Sequence, residues 1–217
     1  MIPKPSGCVG CPLATTGKGF CPDQLVTNPE YTIYGEAPGT TELNVGKPFQ
    51  GKAGFVLKQW LMHSVPLLKI AEEKGKISYK NILHCLPPMK AGRPYPTGKD
   101  REEAEACCAQ YRSPETDAKV VILCGEVPQR LFFKQELDTE DQSDRRIGHD
   151  LKGVMGRIGR EYNKDGRRYV FAPHPAFILR QPALVTHGQR ALEIAAGQTK
   201  VLEPSYLPWE MSMEQLG

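Results

Sequence analysis

The stretch from Gly35 to Gly54 constrains the fold of this chain more than any other. It reads Gly35-Glu36-Ala37-Pro38-Gly39 and then Gly46-Lys47-Pro48-Phe49-Gln50-Gly51-Lys52-Ala53-Gly54. Before it stands Tyr31-Thr32-Ile33-Tyr34, a short β-favouring run, and after it Phe55 to His63 carries apolar residues at helical spacing. Strand, loop and helix in that order open an α/β unit. In an open α/β sheet, ligands sit at the carboxyl ends of the strands, and five glycines in these twenty residues let backbone N–H groups approach one closely. The loop is the first candidate active site.

The same alternation continues along the chain. Strands are expected near 31–35, 79–84, 119–124 and 168–172, and helices near 53–64, 101–112, 126–135 and 188–199. That order favours a largely parallel sheet covered on both faces. Pro87 to Gly98 and Glu136 to Gly156 read as surface loops within one domain, 1–202. Residues 203–217, with Pro204, Pro208 and Trp209 and no basic side chain, read as a tail.

A length of 217 residues with 40% hydrophobic and 24% charged content fits a soluble globular domain. No apolar run approaches the roughly 20 residues that span a bilayer, and Met1-Ile2-Pro3-Lys4-Pro5 lacks the apolar core of a secretory signal. A net charge of +3 is weak evidence for a nucleic-acid partner. Between Asp144 and Arg168, eight Lys or Arg (Arg145, Arg146, Lys152, Arg157, Arg160, Lys164, Arg167, Arg168) face four acids (Asp144, Asp150, Glu161, Asp165). This pattern fits a solvated loop as well as a phosphate-contacting patch.

Seven cysteines in a chain read as intracellular argue for metal or catalysis over disulfides. Cys8-Val9-Gly10-Cys11 is a CxxC pair, Cys85 precedes Pro87-Pro88, and Cys107-Cys108 lies on the next expected helix. Four thiolates gathered by folding suit zinc or an iron–sulfur cluster. Cys124 ends the run Val120-Val121-Ile122-Leu123 and reads as a buried small hydrophobe, and Cys21 as an ordinary loop residue.

The expected strand ends deliver Glu36 and Phe49, then Asn81, then His174 in Pro173-His174-Pro175. Taken singly, Phe49 is an ordinary core aromatic, Asn81 a strand-end cap and His174 a satisfied histidine. Together they match base recognition, in which a ring stacks on a base and an amide reads its edge as donor and acceptor.

These motifs resemble the uracil-DNA glycosylase superfamily, most closely its iron–sulfur family 4 type. The resemblance rests on Gly35 to Gly39, Glu42, and Gly46 to Gly54; on Asn81, Cys85, Pro87 and Pro88; and on His174-Pro175-Ala176-Phe177-Ile178-Leu179-Arg180. It implies a three-layer α/β/α sandwich around a central four-stranded parallel sheet. It further implies a [4Fe–4S] cluster on Cys8, Cys11, Cys85 and Cys108, with Cys108 preferred to Cys107 because an aromatic, Tyr111, follows it at the family spacing. The implied activity is hydrolysis of the N-glycosidic bond of uracil, or a related deaminated or modified base, flipped out of DNA. Glu36, Glu42 and His174 would be catalytic, with the two acids not separated. Phe49, Asn81, Gly35 and Ala37 would bind the base, Phe177, Ile178 and Leu179 would form a wedge, and Arg180 would brace a phosphate. Expected partners are uracil-containing DNA, single- or double-stranded, and a replication clamp or polymerase, with a monomer as the default state and a cytoplasmic, nucleoid-associated location. The competing reading is a non-catalytic nucleic-acid-binding protein that keeps the fold.

Three departures from the family pattern border the pocket or the DNA path. Leu43 follows Glu42 where an acidic pair is common, Lys90-Ala91 replaces Asn-Arg, and Gln50 replaces a small apolar residue. No basic, histidine-bearing insertion follows Gly51, so the product-trapping branch is not matched.

Overall fold

The computed structural model describes residues 1–90, 93–94, 96–113, 116–147, 157–182 and 185–197. The 203–217 tail, Ala91 and residues 148–156 of the basic stretch lie outside these. β1 (Tyr31–Gly35) leads into α1 (Thr40–Val45), α2 (Lys52–Ser64) and α3 (Pro66–Glu73). β2 (Ile77–Asn81) is followed by the short pair β3 (Met89–Lys90) and β4 (Arg93–Pro94), then by α4 (Gly98–Ala109). β5 (Val120–Cys124) precedes α5 (Glu126–Ile147), and β6 (Glu161–Lys164) and β7 (Arg167–Ala172) precede α6 (Pro175–Arg180) and α7 (Val185–Ala195).

The central sheet has the order β2-β1-β5-β7-β6. Its first four strands are parallel, with Gly35 opposite Asn81 and Cys124 opposite Ala172, so their carboxyl ends align. Antiparallel β6 corrects the expected four strands to five. Its cause is local: Asp165 and Gly166 take φ of 51° and 71°, the left-handed pair that a two-residue hairpin turn demands.

Buried strands sort their side chains with period two. Ile33, Ile122 and Val170 pack with Leu57, Trp60 and Leu61 of α2, Leu68 of α3 and Leu192 of α7. Tyr34, Val121, Leu123 and Phe171 pack with Phe133 and Leu137 of α5 on the other face, giving the three layers. A Cβ on Gly188 would stand 2.4 Å from the Trp60 ring, so only glycine lets α7 cross α2 this closely. Among the described residues no helix is long and apolar enough to cross a membrane.

Element ends differ from the sequence reading for physical reasons. β2 spans 77–81 instead of 79–84, because Ile82 and Leu83 leave the strand while still donating to the Gly35 and Glu36 carbonyls (3.0 and 2.9 Å). α4 starts at Gly98, and α5 runs on to Ile147 across a break at Phe133 (φ −136°, ψ 37°). Helices α1, α3 and α6 have six to eight residues, too short to show a clear 3.6-residue period.

A buried ion pair fastens β2 to the segment before β5. Lys80 Nζ lies 2.6 Å from Asp117 Oδ1 and donates to Ser113 O (2.6 Å) and Thr116 Oγ1 (3.0 Å). Tyr34 donates its hydroxyl to the same carboxylate at 3.0 Å. Both ions are dry, so removing one strands the other. Lys80→Met should lose about 3–5 kcal/mol in urea unfolding, and adding Asp117→Leu should restore most of that; a near-neutral single variant would show that the pair anchors nothing.

Candidate active site

The aligned strand ends open into a cavity of about 420 Å³. Glu36, Ala37, Glu42, Phe49, Asn81, His174 and Leu179 all line it, with Thr40, Thr41, Lys52, Pro87 and Met89 around them. Parallel pairing of Gly35 with Asn81 puts the acid one residue past β1 beside the amide that ends β2. His174 stands two residues past the end of β7.

Close packing dictates the glycines here. Phe49 has φ of 53°, a left-handed conformation costly for an aromatic residue. A Cβ on Gly54 would fall 2.0 Å from the Phe49 carbonyl oxygen, and one on Gly35 would fall 2.8 Å from the Phe49 ring and 2.6 Å from Asn81 Oδ1. Absent side chains at 35 and 54 therefore make room for the ring and the amide, which is the contribution of Gly35 to the pocket. The Phe49 ring is backed by Tyr79 at 5.6 Å, and Tyr79 donates to Glu72 Oε2 at 2.6 Å. Asn81 spends its backbone N–H on Asp23 Oδ1 (3.3 Å), and its side-chain amide lies against Gly35 at the cavity wall.

The two acids separate in the structure where sequence left them equal. Buried Glu42 accepts from Gly39 N–H at 3.1 Å with one oxygen and from Gly51 N–H at 2.8 Å with the other. Its carboxylate is occupied in closing the loop between α1 and α2. Glu36 keeps 30% of its side chain exposed and lies 3.2 Å from Arg101 Nη2. It is the carboxylate available to a ligand.

His174 caps α6: its Nδ1 accepts from Ala176 N–H at 3.2 Å, which leaves Nε2 to carry the ring proton. Burial lowers its pKa below the ordinary 6.5; Glu36 and Glu42 oppose that shift and the Arg180 charge adds to it. The ring is neutral at neutral pH, a hydrogen-bond donor without a charge. Gly125 (φ 89°) admits it, since a Cβ there would meet the His174 Cβ at 2.9 Å.

Along α6, Phe177 and Leu179 are half-buried and Arg180 is exposed, 6.0 Å from the Phe177 ring. Ile178 corrects the expected wedge: it is fully buried in the core, so it has no surface to offer a duplex. Sequence reasoning also missed Arg101, whose only signal is a basic residue one turn from Glu105 on α4.

A second cavity gathers Cys8, Cys11, Cys85 and Cys108 with Lys4, Phe20 and His84. Cys107 is not among its lining residues, and Cys124 is buried in the sheet core. Burial raises the thiol pKa of Cys85 to about 11, with Lys4 opposing, and that of Cys108 to about 12. Among the described residues no three metal-binding side chains are close enough to grip one ion. Four thiols around one cavity are a donor set that zinc or an iron–sulfur cluster accepts.

Two outcomes test this geometry. Glu42→Gln should lose about 2–3 kcal/mol of unfolding free energy, as charge-assisted bonds to two backbone N–H groups weaken, while Glu36→Gln should leave stability within about 0.5 kcal/mol; equal losses would put both acids in the same role. In the folded state His174 binds its proton more weakly than in the unfolded chain, so its burial withholds stability as pH falls below 6.5. An NMR titration of the ring should therefore show a midpoint below 6.5, and a higher one would mean that the ring is charged in the pocket.

A family model described as the uracil DNA glycosylase superfamily matches residues 22–195. Among similar proteins, a type-4 uracil-DNA glycosylase of Pyrobaculum aerophilum is 29% identical over 208 residues, covering 91% of this chain and 93% of that protein. Type-4 uracil-DNA glycosylases of Sulfurisphaera tokodaii (25% identical, 82% of this chain, 73% of that one) and Archaeoglobus fulgidus (27%, 82% and 80%) are also similar. By a match spanning well over half its length, the chain belongs to the uracil DNA glycosylase superfamily.

Proposed function

We propose that this protein is a monofunctional DNA glycosylase that hydrolyses the N-glycosidic bond of uracil in DNA and leaves an abasic site for repair. The observation that carries this reading is the convergence of Glu36, Phe49, Asn81 and His174 on one cavity at the parallel strand ends. The similarity to type-4 uracil-DNA glycosylases over most of the chain supports the choice of base.

A stacked nucleotide hides its glycosidic carbon, so the base must be extruded, at a cost of a few kcal/mol that stacking and phosphate contacts offset. In the pocket, Phe49 stacks on the base and the Asn81 amide reads its edge. As the C1′–N1 bond breaks, its electron pair passes to the base, and negative charge collects on the base oxygens. The neutral Nε2–H of His174 donates to that charge, as an oxyanion-hole donor does. Glu36 faces the positive charge left on the sugar and orients the water that attacks C1′, taking the proton the water loses and passing it to solvent, from which the released base takes one. Glu42 holds the loop that carries Phe49. Leu179 and Phe177 fill the place of the extruded nucleotide, and Arg180 braces a phosphate.

Cys8, Cys11, Cys85 and Cys108 would hold a [4Fe–4S] cluster. Bound there, it would be structural, pinning the N-terminal segment and α4 beside the pocket.

Purified protein should be brown, with broad visible absorption; a colourless, zinc-loaded preparation of equal activity would sink the cluster assignment. Wild type should cleave uracil-containing oligonucleotides after alkali treatment. His174→Ala should lower kcat by at least about 100-fold, and Asn81→Ala should weaken discrimination against other pyrimidines. If wild type and the Glu36→Ala, His174→Ala double variant were equally inert on uracil and common deaminated bases, the protein would be a binding module.

A further inference from the structure

We propose that Arg101 is a positioning residue, one that fixes the Glu36 carboxylate and ties it to the cysteine-bearing helix α4. The inference rests on the proposed role of Glu36 in glycosidic hydrolysis. Arg101 Nη2 stands 3.2 Å from Glu36 Oε1, and its Nε donates at 2.6 Å to Glu105 Oε1 one turn further along α4. The Arg101 side chain is only 13% exposed, so this three-membered array is partly shielded from water, unlike an ordinary surface pair. Glu105 fixes the guanidinium plane through Nε, and Nη2 of the same plane lies against Glu36. Nη2 is itself buried and has no hydrogen bond among the described residues, so its attraction to Glu36 is its one strong interaction there.

A second arginine makes the attachment rigid. Arg112, just beyond α4, donates Nη1 to Ile82 O at 2.9 Å and Nη2 to Glu105 O at 3.1 Å. Ile82 directly follows Asn81, so the helix grips both strand ends that carry pocket residues: β1 through Arg101 and β2 through Arg112. The same helix presents Cys108 to the cysteine cavity. Whatever fills that cavity sets the position of α4, and Arg101 passes the position on to Glu36. A planar cation with separate N–H groups spans two carboxylates in this way; a lysine has a single charged point.

Arg101→Gln, Arg101→Lys and each change in a Glu36→Gln background test the proposal. Arg101→Gln should keep the visible absorption and melting temperature of wild type yet lose about 10- to 100-fold in kcat, the scale of a misplaced group, with KM changed less than about twofold. Arg101→Lys, which keeps the charge, should recover part of the loss. In Glu36→Gln, adding Arg101→Gln should cause no further loss, and a crystal structure of Arg101→Gln should show the Glu36 carboxylate displaced. The proposal is overturned if Glu36 stays in place in that structure, if the loss falls in KM alone, if the two changes multiply in full, or if activity falls only in step with visible absorption. A wild type inert on uracil would instead refute the glycosylase reading, while the position of Glu36 in the variant structure would still decide the role of Arg101.

Discussion

One buried carboxylate holds the pocket together. Glu42 sits in the first turn of α1 and satisfies N–H groups at Gly39 and Gly51, the residues that precede α1 and α2. Between these two points the chain must turn back on itself, and Phe49 takes its left-handed conformation inside that turn. Strain of this kind persists only where its surroundings over-determine it. Here the determinants are the two bonds to Glu42, the bare Cα positions of Gly35 and Gly54, and the backing of Tyr79. The Phe49 ring is consequently set by main-chain geometry and is in place before any ligand arrives.

Much of this was legible in the residues. The β1 loop, the CxxC pair, Asn81 and the His-Pro segment each carry local chemistry strong enough to be recognised, and the parallel order follows from strand–helix alternation. The fifth strand was missed although Asp165-Gly166 is a strong hairpin signal, because Glu161 to Lys164 lies on an exposed edge and shows no apolar alternation. Ile178 was misread because a wedge and a core anchor have the same composition, and only the orientation of α6 tells them apart. The division of labour between Glu36 and Glu42 was hidden for a similar reason: which acid reaches two backbone N–H groups depends on loop closure.

Lys80 shows the limit of composition more sharply. β2 is an edge strand buried at all five residues, where a lysine is out of keeping by composition, yet its ammonium group finds Asp117, Ser113 and Thr116 in a dry pocket. This pair lies on the side of the sheet opposite Phe49 and Tyr79, which alternate with it along the strand or pack against it. The polar anchor thereby fixes β2 without intruding on the face against which Phe49 packs.

The edges of the sheet have a consequence for the protein in a crowded cell. A parallel sheet ending at β7 would expose a row of unpaired amides next to the strongly apolar Val170-Phe171-Ala172. Instead β6 covers that row, and its outward groups include Glu161 and Lys164, charges that disfavour pairing with a stranger. At the opposite border, Gln24 forms an antiparallel bridge with Tyr79, and the amide of Asn81 is taken by Asp23. Both margins are thus blunted against strand addition, and the molecule can hold a stiff, apolar, all-parallel centre without offering neighbouring chains a template for aggregation.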